Sequence, residues 1–143
     1  MSGKDKYYLD TCIWRDFYED RFSKTGRAMG RESAKLFVKL IKKRAIIFYN
    51  DSLIWKLRND YDDDLINDML NFLFLINILK KIETIKEDYL QAKKLVQERN
   101  IPFVDCLNAV QVRRLKAILV SQDKHLLNDL SDITKAKRPL EII

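Results

Sequence analysis

Short apolar runs of strand length alternate along the chain with longer segments in which apolar residues recur every three or four positions. The runs are Lys6 to Leu9 (KYYL), Ala45 to Tyr49 (AIIFY) and Ala117 to Val120 (AILV). Continuous apolar runs of this length are typical of strands that are covered on both faces of a sheet. The pattern therefore predicts three buried strands.

The segments between these runs have the periodicity of amphipathic helices. Apolar positions 13, 14, 17 and 18 share one helical face, and positions 36, 37, 40 and 41 do so in a basic segment that ends near Arg44. A loop from Ser23 to Gly30 is predicted between these two helices. Further helices are predicted over residues 51–57, 62–81, 87–99, 102–115 and 123–130.

Residues suited to helix termini support several of these boundaries. Asn50 or Asp51 can cap the helix that runs through Leu57, and the acidic triplet at 62–64 favours a helix N-terminus. Pro102 is suited to the first turn of the helix that it opens. Glu83 to Ile85 and the tail 135–143 (KAKRPLEII) are predicted as a short strand and a last edge segment.

Strands that alternate with helices predict a parallel sheet with helices on both faces. We therefore expect a single α/β domain over residues 1–143, a three-layer α/β/α sandwich around a central, mainly parallel sheet of four or five strands. The length of 143 residues and the 47% of hydrophobic residues fit one domain with a sizeable core. With three glycines and two prolines, the chain lacks the composition of long linkers.

Composition indicates the cellular compartment of the protein and the charge of its partners. The start of the chain, MSGKDK, lacks the apolar stretch of a secretory signal, and the most apolar segment, 65–82, is interrupted by Asn, Asp and Lys. Two cysteines, Cys12 and Cys106, are too few for a disulfide framework. We expect a cytoplasmic protein without a membrane span. The net charge of +6 suits a polyanionic partner but is shared by many proteins that bind no nucleic acid.

Three aspartates fall where a parallel sheet would bring them together. Asp10 directly follows the first strand, Asp123 follows the strand AILV by two residues, and Asp105 lies in the first turn of a helix. Ligands of parallel α/β sheets bind beyond the carboxyl ends of the strands, and carboxylates suit Mg²⁺ or Mn²⁺. The alternative, which this spacing leaves open, is that each aspartate only caps a loop or helix.

The segments that contain these aspartates resemble the PIN domain family, in particular its archaeal members and the VapC-type toxins. The resemblance lies in YYLDTCIWRDFYEDR, IPFVDCLNAVQVRRLKAILVSQDKHL and KRPLEII. Asp10 with Thr11 matches a strand that ends in Asp plus a hydroxyl residue. Asp105 matches the family's Asp at the start of a helix, and Ser121 to Asp123 matches its Thr/Ser-x-Asp element after a buried strand.

The resemblance implies a Mg²⁺- or Mn²⁺-dependent endonuclease that acts on RNA. Asp10, Asp105 and Asp123 would then bind the metal, and the hydroxyls of Thr11 and Ser121 would assist catalysis or orient a ligand. It also implies a homodimer and an antitoxin protein as a partner. The alternative is a module of the same fold that binds RNA or a partner protein without turnover.

The chain departs from the family pattern at Lys56. Family members carry a Glu before a Leu in the helix after the second strand, and here Lys56 precedes Leu57. A lysine among carboxylates is expected to pair with them and to displace charge that a metal would supply. Weakened or single-metal catalysis is the first expectation, and substitution by Asp51 or Asp60 is the second.

Other residues near these motifs have two interpretations each. His125 could meet a phosphate or be an ordinary surface or packed histidine, and Asn108 could face the site one helical turn after Asp105. Arg15 could bind a phosphate or pair with Glu19 at i+4.

The two cysteines are expected to be small packed residues. The basic clusters at 39–44, 80–81, 93–94 and 113–116 are solvated faces or phosphate contacts, and the apolar stripe over 70–78 is core or a dimer surface.

Overall fold

The computed structural model describes residues 5–143, apart from the side chain of His125. The predicted lack of a secretory signal therefore rests partly on residues 1–4, which lie outside the described part. No helix in residues 5–143 is long and apolar enough to cross a lipid bilayer.

A five-stranded parallel sheet forms the centre of the molecule, with strand order β3-β2-β1-β4-β5. Its strands are β1 (Lys6–Leu9), β2 (Ile46–Tyr49), β3 (Leu79–Lys81), β4 (Ile118–Val120) and β5 (Ala136–Lys137). The predicted three-layer α/β sandwich with a parallel sheet of four or five strands is confirmed. The tail supplies the edge strand β5, as the sequence predicted.

Six α-helices connect these strands in the described part of the chain: α1 (Thr11–Glu19), α2 (Met29–Lys42), α3 (Asp51–Leu57), α4 (Asp63–Leu75), α5 (Lys86–Arg99) and α6 (Phe103–Leu115). Of the two residues predicted as possible caps of α3, Asn50 is the cap, and its side-chain oxygen accepts the Leu53 N–H. The helix predicted over 123–130 is instead a single π-helical turn at His125–Asp129, and a 3₁₀ turn covers Pro139–Glu141.

Two cores lie on opposite faces of the sheet because neighbouring strand residues point to opposite sides. Tyr7, Leu9 and Ile47 pack against α1 to α4 on one face. Tyr8 and Leu119 pack with residues of α5 and α6 on the other. All five side chains are buried, which agrees with the continuous apolar runs seen in the sequence.

One boundary prediction was wrong. The helix expected to reach Lys81 ends at Leu75, where Asn77 adopts a positive φ of 61° and the chain turns into β3. Asparagine tolerates this left-handed conformation better than most residues. The strand expected at 83–85 is therefore found at Leu79–Lys81. The exposed side chains of Lys80 and Lys81 hid it, because an edge strand need not be apolar throughout.

Candidate active site

The candidate site lies where the sheet changes its direction of winding. From β1 the chain moves outward to β2 and β3 on one side, and then returns to place β4 on the other side of β1. The crevice beyond the carboxyl ends of β1 and β4 is the topological switch point, at which parallel α/β sheets bind ligands. Asp10 follows β1 directly and Ser121 follows β4 directly.

Asp10 uses both of its carboxylate oxygens. Oδ1 accepts the backbone N–H of Thr11 at 2.8 Å, and Asp10 is the N-cap of α1. Oδ2 accepts the hydroxyl of Ser121 at 2.8 Å. The capping interpretation of Asp10 is therefore correct, and the same side chain also joins the two central strands.

Ser121 connects two of the predicted site residues. Its side chain is fully buried, and its hydroxyl oxygen accepts the Asp123 N–H at 2.9 Å while the hydroxyl donates to Asp10. The loop that bears Asp123 is thus held close to β1. The sequence placed Ser121 beside the carboxylates, but its role as the link between them emerges only from the structure.

Asp105 is buried in the first turn of α6 but does not cap that helix, since the N-cap is Pro102. Its Oδ1 atom has no hydrogen-bond partner, and the Nζ atom of Lys56 lies 3.6 Å from it. Burial raises the pKa of Asp105 above its ordinary value, and the carboxylates of Asp123 and Asp10 add to this rise, whereas the Lys56 ammonium opposes it. The three predicted acids therefore lie within electrostatic range of one another.

Lys56 pairs with a site carboxylate, as expected from the sequence. Neither proposed substitute for the missing Glu reaches the site. Asp60 binds Arg15 at 2.7 Å, and the exposed Asp51 binds Lys81 at 3.1 Å. Asp105 therefore faces the Lys56 ammonium group, at the position where the family pattern has a carboxylate.

A cleft with a volume of about 360 Å³ opens beside Asp10, Lys56 and Asp123, and Asp105 is not among the residues that line it. Its walls carry both charges, with acids from the loops after β1 and β4 and bases from α1 and α3. The lining residues are Asp10, Thr11, Cys12, Arg15, Lys56, Asn59, Gln122 and Asp123. A cleft of this size and polarity suits a phosphate group and its sugar, not a large apolar ligand.

The family resemblance implies that the carboxylates of this site bind a divalent ion. Carboxylate oxygens are suitable ligands for Mg²⁺ or Mn²⁺, and the buried Oδ1 of Asp105 lacks a hydrogen bond. Among the described side chains, however, no three of the His, Cys, Asp and Glu types are arranged to hold a metal ion as they stand. The ligand types therefore suit a divalent ion, but the described side chains do not form a ready set of three ligands, and Asp105 is paired with Lys56.

Other candidates from the sequence have structural partners. Arg15 pairs with Asp60 and donates to the backbone oxygen of Lys56 at 3.0 Å, so the predicted pair with Glu19 is replaced by a longer-range one. Cys106 is fully buried, and Cys12, beside Asp10, has a pKa raised to about 12 by burial and by that carboxylate. The side chain of His125 lies outside the described part.

A buried polar network beneath the cleft was missed by sequence reasoning. The Tyr8 hydroxyl donates to Asn50 at 2.9 Å and to Asn108 at 3.2 Å, and Asn50 donates to Asn108 and Gln111. Asn108 therefore faces this network within the protein. The signal available in the sequence was Asn50, a polar residue directly after a buried strand.

Comparisons with known proteins give no sequence-level match: no family model and no curated protein matches this chain. Solved structures do match its fold. FitAcB from Neisseria gonorrhoeae aligns with a TM-score of 0.62 at 14% identity, over 95% of this chain and 99% of that chain. PAE2754 from Pyrobaculum aerophilum aligns with a TM-score of 0.57 at 19% identity, over 96% of this chain and 92% of that one.

The chain has the PIN-domain fold. The predicted family resemblance is thus confirmed at the level of fold, over nearly the whole length of both neighbours. In this PIN-domain fold, the candidate site occupies the switch point between β1 and β4, and Lys56 is the one position at which the expected acid is a base.

Proposed function

We propose that this protein is a metal-dependent endoribonuclease of the PIN/VapC type, which hydrolyses phosphodiester bonds in RNA. The observation that carries the proposal is the convergence of Asp10, Asp105 and Asp123 from three distant segments on the switch point of the sheet. Assembling three acids in one partly buried place costs electrostatic free energy, as the raised pKa of Asp105 reflects. Such a cost is typical of functional sites.

Asp10, Asp105 and Asp123 would hold a Mg²⁺ or Mn²⁺ ion after Lys56 has moved away from Asp105. When bound, such an ion activates water for attack and offsets the negative charge that develops on the phosphate. The contribution of Ser121 is to orient Asp10 and to fix the loop of Asp123. Thr11, which lines the cleft at the start of α1, would orient the ligand.

The basic side chains of the cleft have a role of their own in the proposed function. Arg15 and Lys56 line the cleft opposite the acids, and their charges would bind the phosphates of the RNA. The ammonium of Lys56 competes with a metal ion for Asp105, because both neutralise the same carboxylate. We therefore expect catalysis weaker than in a protein with a Glu at this position.

The ion pair between Lys56 and Asp105 favours a second candidate function. A module of the same fold that binds RNA or a partner protein without turnover would keep the cleft and its bases but would not need an ion. The absence of a ready set of three metal ligands among the described side chains fits this alternative as well. One series of variants separates the two functions.

The experiment measures cleavage of a labelled single-stranded RNA with Mg²⁺, with Mn²⁺ and with EDTA. The wild-type chain is expected to cleave slowly with either ion, and Asp10→Asn is expected to reduce cleavage to background. Lys56→Glu is expected to raise the rate by about 10- to 100-fold, because removing a charge interaction of roughly 1 to 3 kcal/mol frees Asp105. Lys80→Glu, at an exposed position of β3, is the matched charge control.

The outcomes distinguish the candidates. Cleavage that survives in Asp10→Asn would contradict the assigned site. RNA binding without turnover in the wild type, with cleavage gained in Lys56→Glu, would identify the non-catalytic module. A chain that neither binds nor cleaves RNA in any of these forms would remove both functions.

Protein partners belong to the same proposal. We propose a homodimer and an antitoxin protein as partners, and a cytoplasmic location. Much of the apolar stripe proposed as a dimer surface is core, because Leu70, Leu73 and Ile78 are buried, while Phe74 is 46% exposed. Light scattering after size-exclusion chromatography would report the dimer directly, and a monomer at micromolar concentration would contradict it.

A further inference from the structure

A groove runs along the outer side of α2, away from the candidate site. Its volume is about 680 Å³, compared with about 360 Å³ for the cleft at the switch point. Outward-facing residues of α2 and the side chain of Ile143 line it, and none of its lining residues lines the cleft. The groove is therefore a second, separate concave surface of the molecule.

The exposed face of α2 that lines this groove is basic. Arg31, Lys35, Val38 and Lys42 follow one another at i, i+4, i+7 and i+11, so they share one face of the helix. All four side chains are exposed. At a rise of 1.5 Å per residue, the Cα atoms of Arg31 and Lys42 lie about 16 Å apart. The groove thus offers cations over about three helical turns.

These cations have no acidic counterpart in the described part of the chain. Within residues 5–143, Arg31, Lys35 and Lys42 form no ion pair. Glu32 is the one acid in the sequence of α2, and its buried carboxylate binds Arg27 at 2.8 Å. The three positive charges are therefore available to an acidic group from outside the chain.

An apolar strip forms the floor and one wall of the groove. Ala34 and Val38 lie one turn apart on α2, and Val38 is 51% exposed. The opposite wall carries Ile143, which is 37% exposed. The Lys39 ammonium donates to the backbone oxygen of Ile142 at 2.5 Å and so holds this wall against α2. An exposed apolar strip beside unpaired cations is complementary to a surface with apolar and acidic groups side by side.

An amphipathic helix has such a surface, with apolar side chains one turn apart and charged residues beside them. The small side chain of Ala34 allows a second helix to approach α2 closely. RNA phosphates would neutralise the cations but would leave the apolar strip uncovered. A second copy of this chain, paired through the same face, would bring like charges together. An anionic membrane takes up larger apolar side chains than Ala34 and Val38.

We propose that this groove binds an acidic amphipathic helix of a partner protein. Apolar side chains of the partner pack on Ala34 and Val38, and its carboxylates pair with Arg31, Lys35 and Lys42. The inference goes beyond the proposed nuclease activity, because it assigns a protein-binding surface outside the cleft. Either one can fail in experiment while the other holds.

The first test measures fluorescence anisotropy with a labelled helical peptide of about fourteen residues, crosslinked through its side chains because short helices are marginal in water. The peptide has leucines at i, i+3, i+4 and i+7 and glutamates at its other positions. One control peptide has the same composition in scrambled order, and another has lysine in place of every glutamate. The acidic amphipathic peptide is expected to bind at least about 10-fold more tightly than either control, or about 1.4 kcal/mol.

The second test changes the groove. The double variant Lys35→Glu/Lys42→Glu is expected to weaken binding of the acidic peptide by about 5- to 30-fold and to gain binding of the lysine peptide. Val38→Asp should also weaken binding of the acidic peptide, because it places a carboxylate in the apolar strip. Lys93→Glu/Lys94→Glu, at exposed positions of α5, is the matched control with the same change in net charge and should bind as the wild type does.

Several results would overturn the proposal. Equal affinity for the three peptides, no binding of any of them, or equal weakening in the α5 control would show that the groove has no specificity for an acidic helix. RNA affinity that falls in Lys35→Glu/Lys42→Glu and not in the control would assign the groove to RNA. Binding to phosphatidylglycerol vesicles that the same variant loses would assign it to a membrane.

Two further measurements separate this inference from other properties of the chain. A dimer that dissociates in Val38→Asp would show that the groove contacts a second copy, which also overturns the proposal. Binding of the acidic peptide by a chain that cleaves no RNA would support the groove and contradict only the nuclease activity. RNA cleavage is expected to be unchanged in Val38→Asp, because Val38 does not line the cleft.

Discussion

At the scale of single residues, one hydroxyl fixes the geometry of two carboxylates. Ser121 donates to Asp10 and accepts from the backbone of Asp123, and it does so inside the protein, where a hydrogen bond to a charged group is stronger than at the surface. Lys56 acts on the third acid, because its ammonium lies 3.6 Å from the Asp105 Oδ1 atom and offsets the charge of that carboxylate. Two side chains outside the acid set therefore contact the acids directly, one as a hydrogen-bond partner and one as a counter-charge.

A different carboxylate, Asp16 of α1, makes stability depend on pH. Asp16 is 2% exposed and its Oδ2 atom has no hydrogen-bond partner. Burial raises its pKa from the ordinary 3.8 to about 6, with Glu32 adding to the rise and Arg21 and Arg27 opposing it. Between about pH 4 and pH 6 the folded chain binds more protons at this site than the unfolded chain, so stability falls as the pH rises through this window.

Asp16→Asn is therefore expected to stabilise the protein above pH 6. The gain should approach roughly 2 to 3 kcal/mol at pH 7, the value of a pKa difference of about two, and should shrink towards zero near pH 4. Urea unfolding at several pH values measures it, with the exposed Asp64→Asn as the control that changes charge without burial. A variant no more stable than wild type at pH 7 would contradict the assignment.

At the scale of elements, the position of α3 depends on the residue that caps it. Asn50 caps this helix by accepting the Leu53 N–H at 2.9 Å, and its amide group also donates to Asn108 and Gln111 of α6. The cap therefore ties α3, which carries Lys56 and Trp55, to a helix on the other face of the sheet. Gly30 fixes the position of α2 in another way. It lets α2 pack closely against α1, because a Cβ atom at this position would lie 2.7 Å from the Asp16 backbone oxygen of α1.

Asn50→Ala is expected to destabilise the protein by about 2 to 4 kcal/mol, the sum of a lost cap and of buried partners left without hydrogen bonds. The matched control is Asp62→Ala, which removes the cap of α4, an exposed side chain that accepts the Leu65 N–H. That control should cost only about 1 kcal/mol. Denaturant unfolding compares the two, and equal losses would show that the network beneath the cleft contributes no stability.

At the scale of the whole molecule, strand order determines where a ligand can bind. The strand order reverses between β1 and β4, and this reversal leaves a crevice beyond the carboxyl ends of the two strands. Acidic and basic residues of the cleft border this crevice. The net charge of +6 favours association with polyanions, which include the RNA of the proposed function. The cleft bases Arg15 and Lys56 add a local one, so that salt is expected to weaken binding.

Binding of single-stranded RNA is expected to fall as salt rises. If three or four phosphates are neutralised, raising NaCl from about 50 to about 200 mM should weaken affinity by about 20- to 50-fold. Fluorescence titration at several salt concentrations in EDTA gives the slope. Affinity that does not change with salt would show that phosphate contacts make no contribution, and Lys94→Ala, on the exposed side of α5, is a control for general charge.

Elements that arise from local sequence patterns could be predicted, and elements without such a pattern could not. The strands β1, β2 and β4 were located because each is a continuous apolar run, and the cap of α3 was narrowed to Asn50 or Asp51, of which the structure has Asn50. The end of α4 and the strand β3 were misplaced, because an edge strand with two exposed lysines has no apolar signature. Of the site, Asp10, Asp105 and Asp123 were predicted from their positions after strands and in a first turn, and the resemblance to the PIN domain family added Thr11 and Ser121 and drew attention to Lys56.

The sequence by itself determined the elements that arise from local patterns: buried strands from apolar runs, helix starts from capping residues, and acids placed after strands. Only the tertiary structure decided that β1 lies between β2 and β4, that Ser121 bridges Asp10 and Asp123, and that Asp105 is the carboxylate with which Lys56 pairs. The physical reason is distance along the chain. Residues 10 and 121, or 56 and 105, meet only because the whole sheet brings them together, and no local pattern records such a meeting.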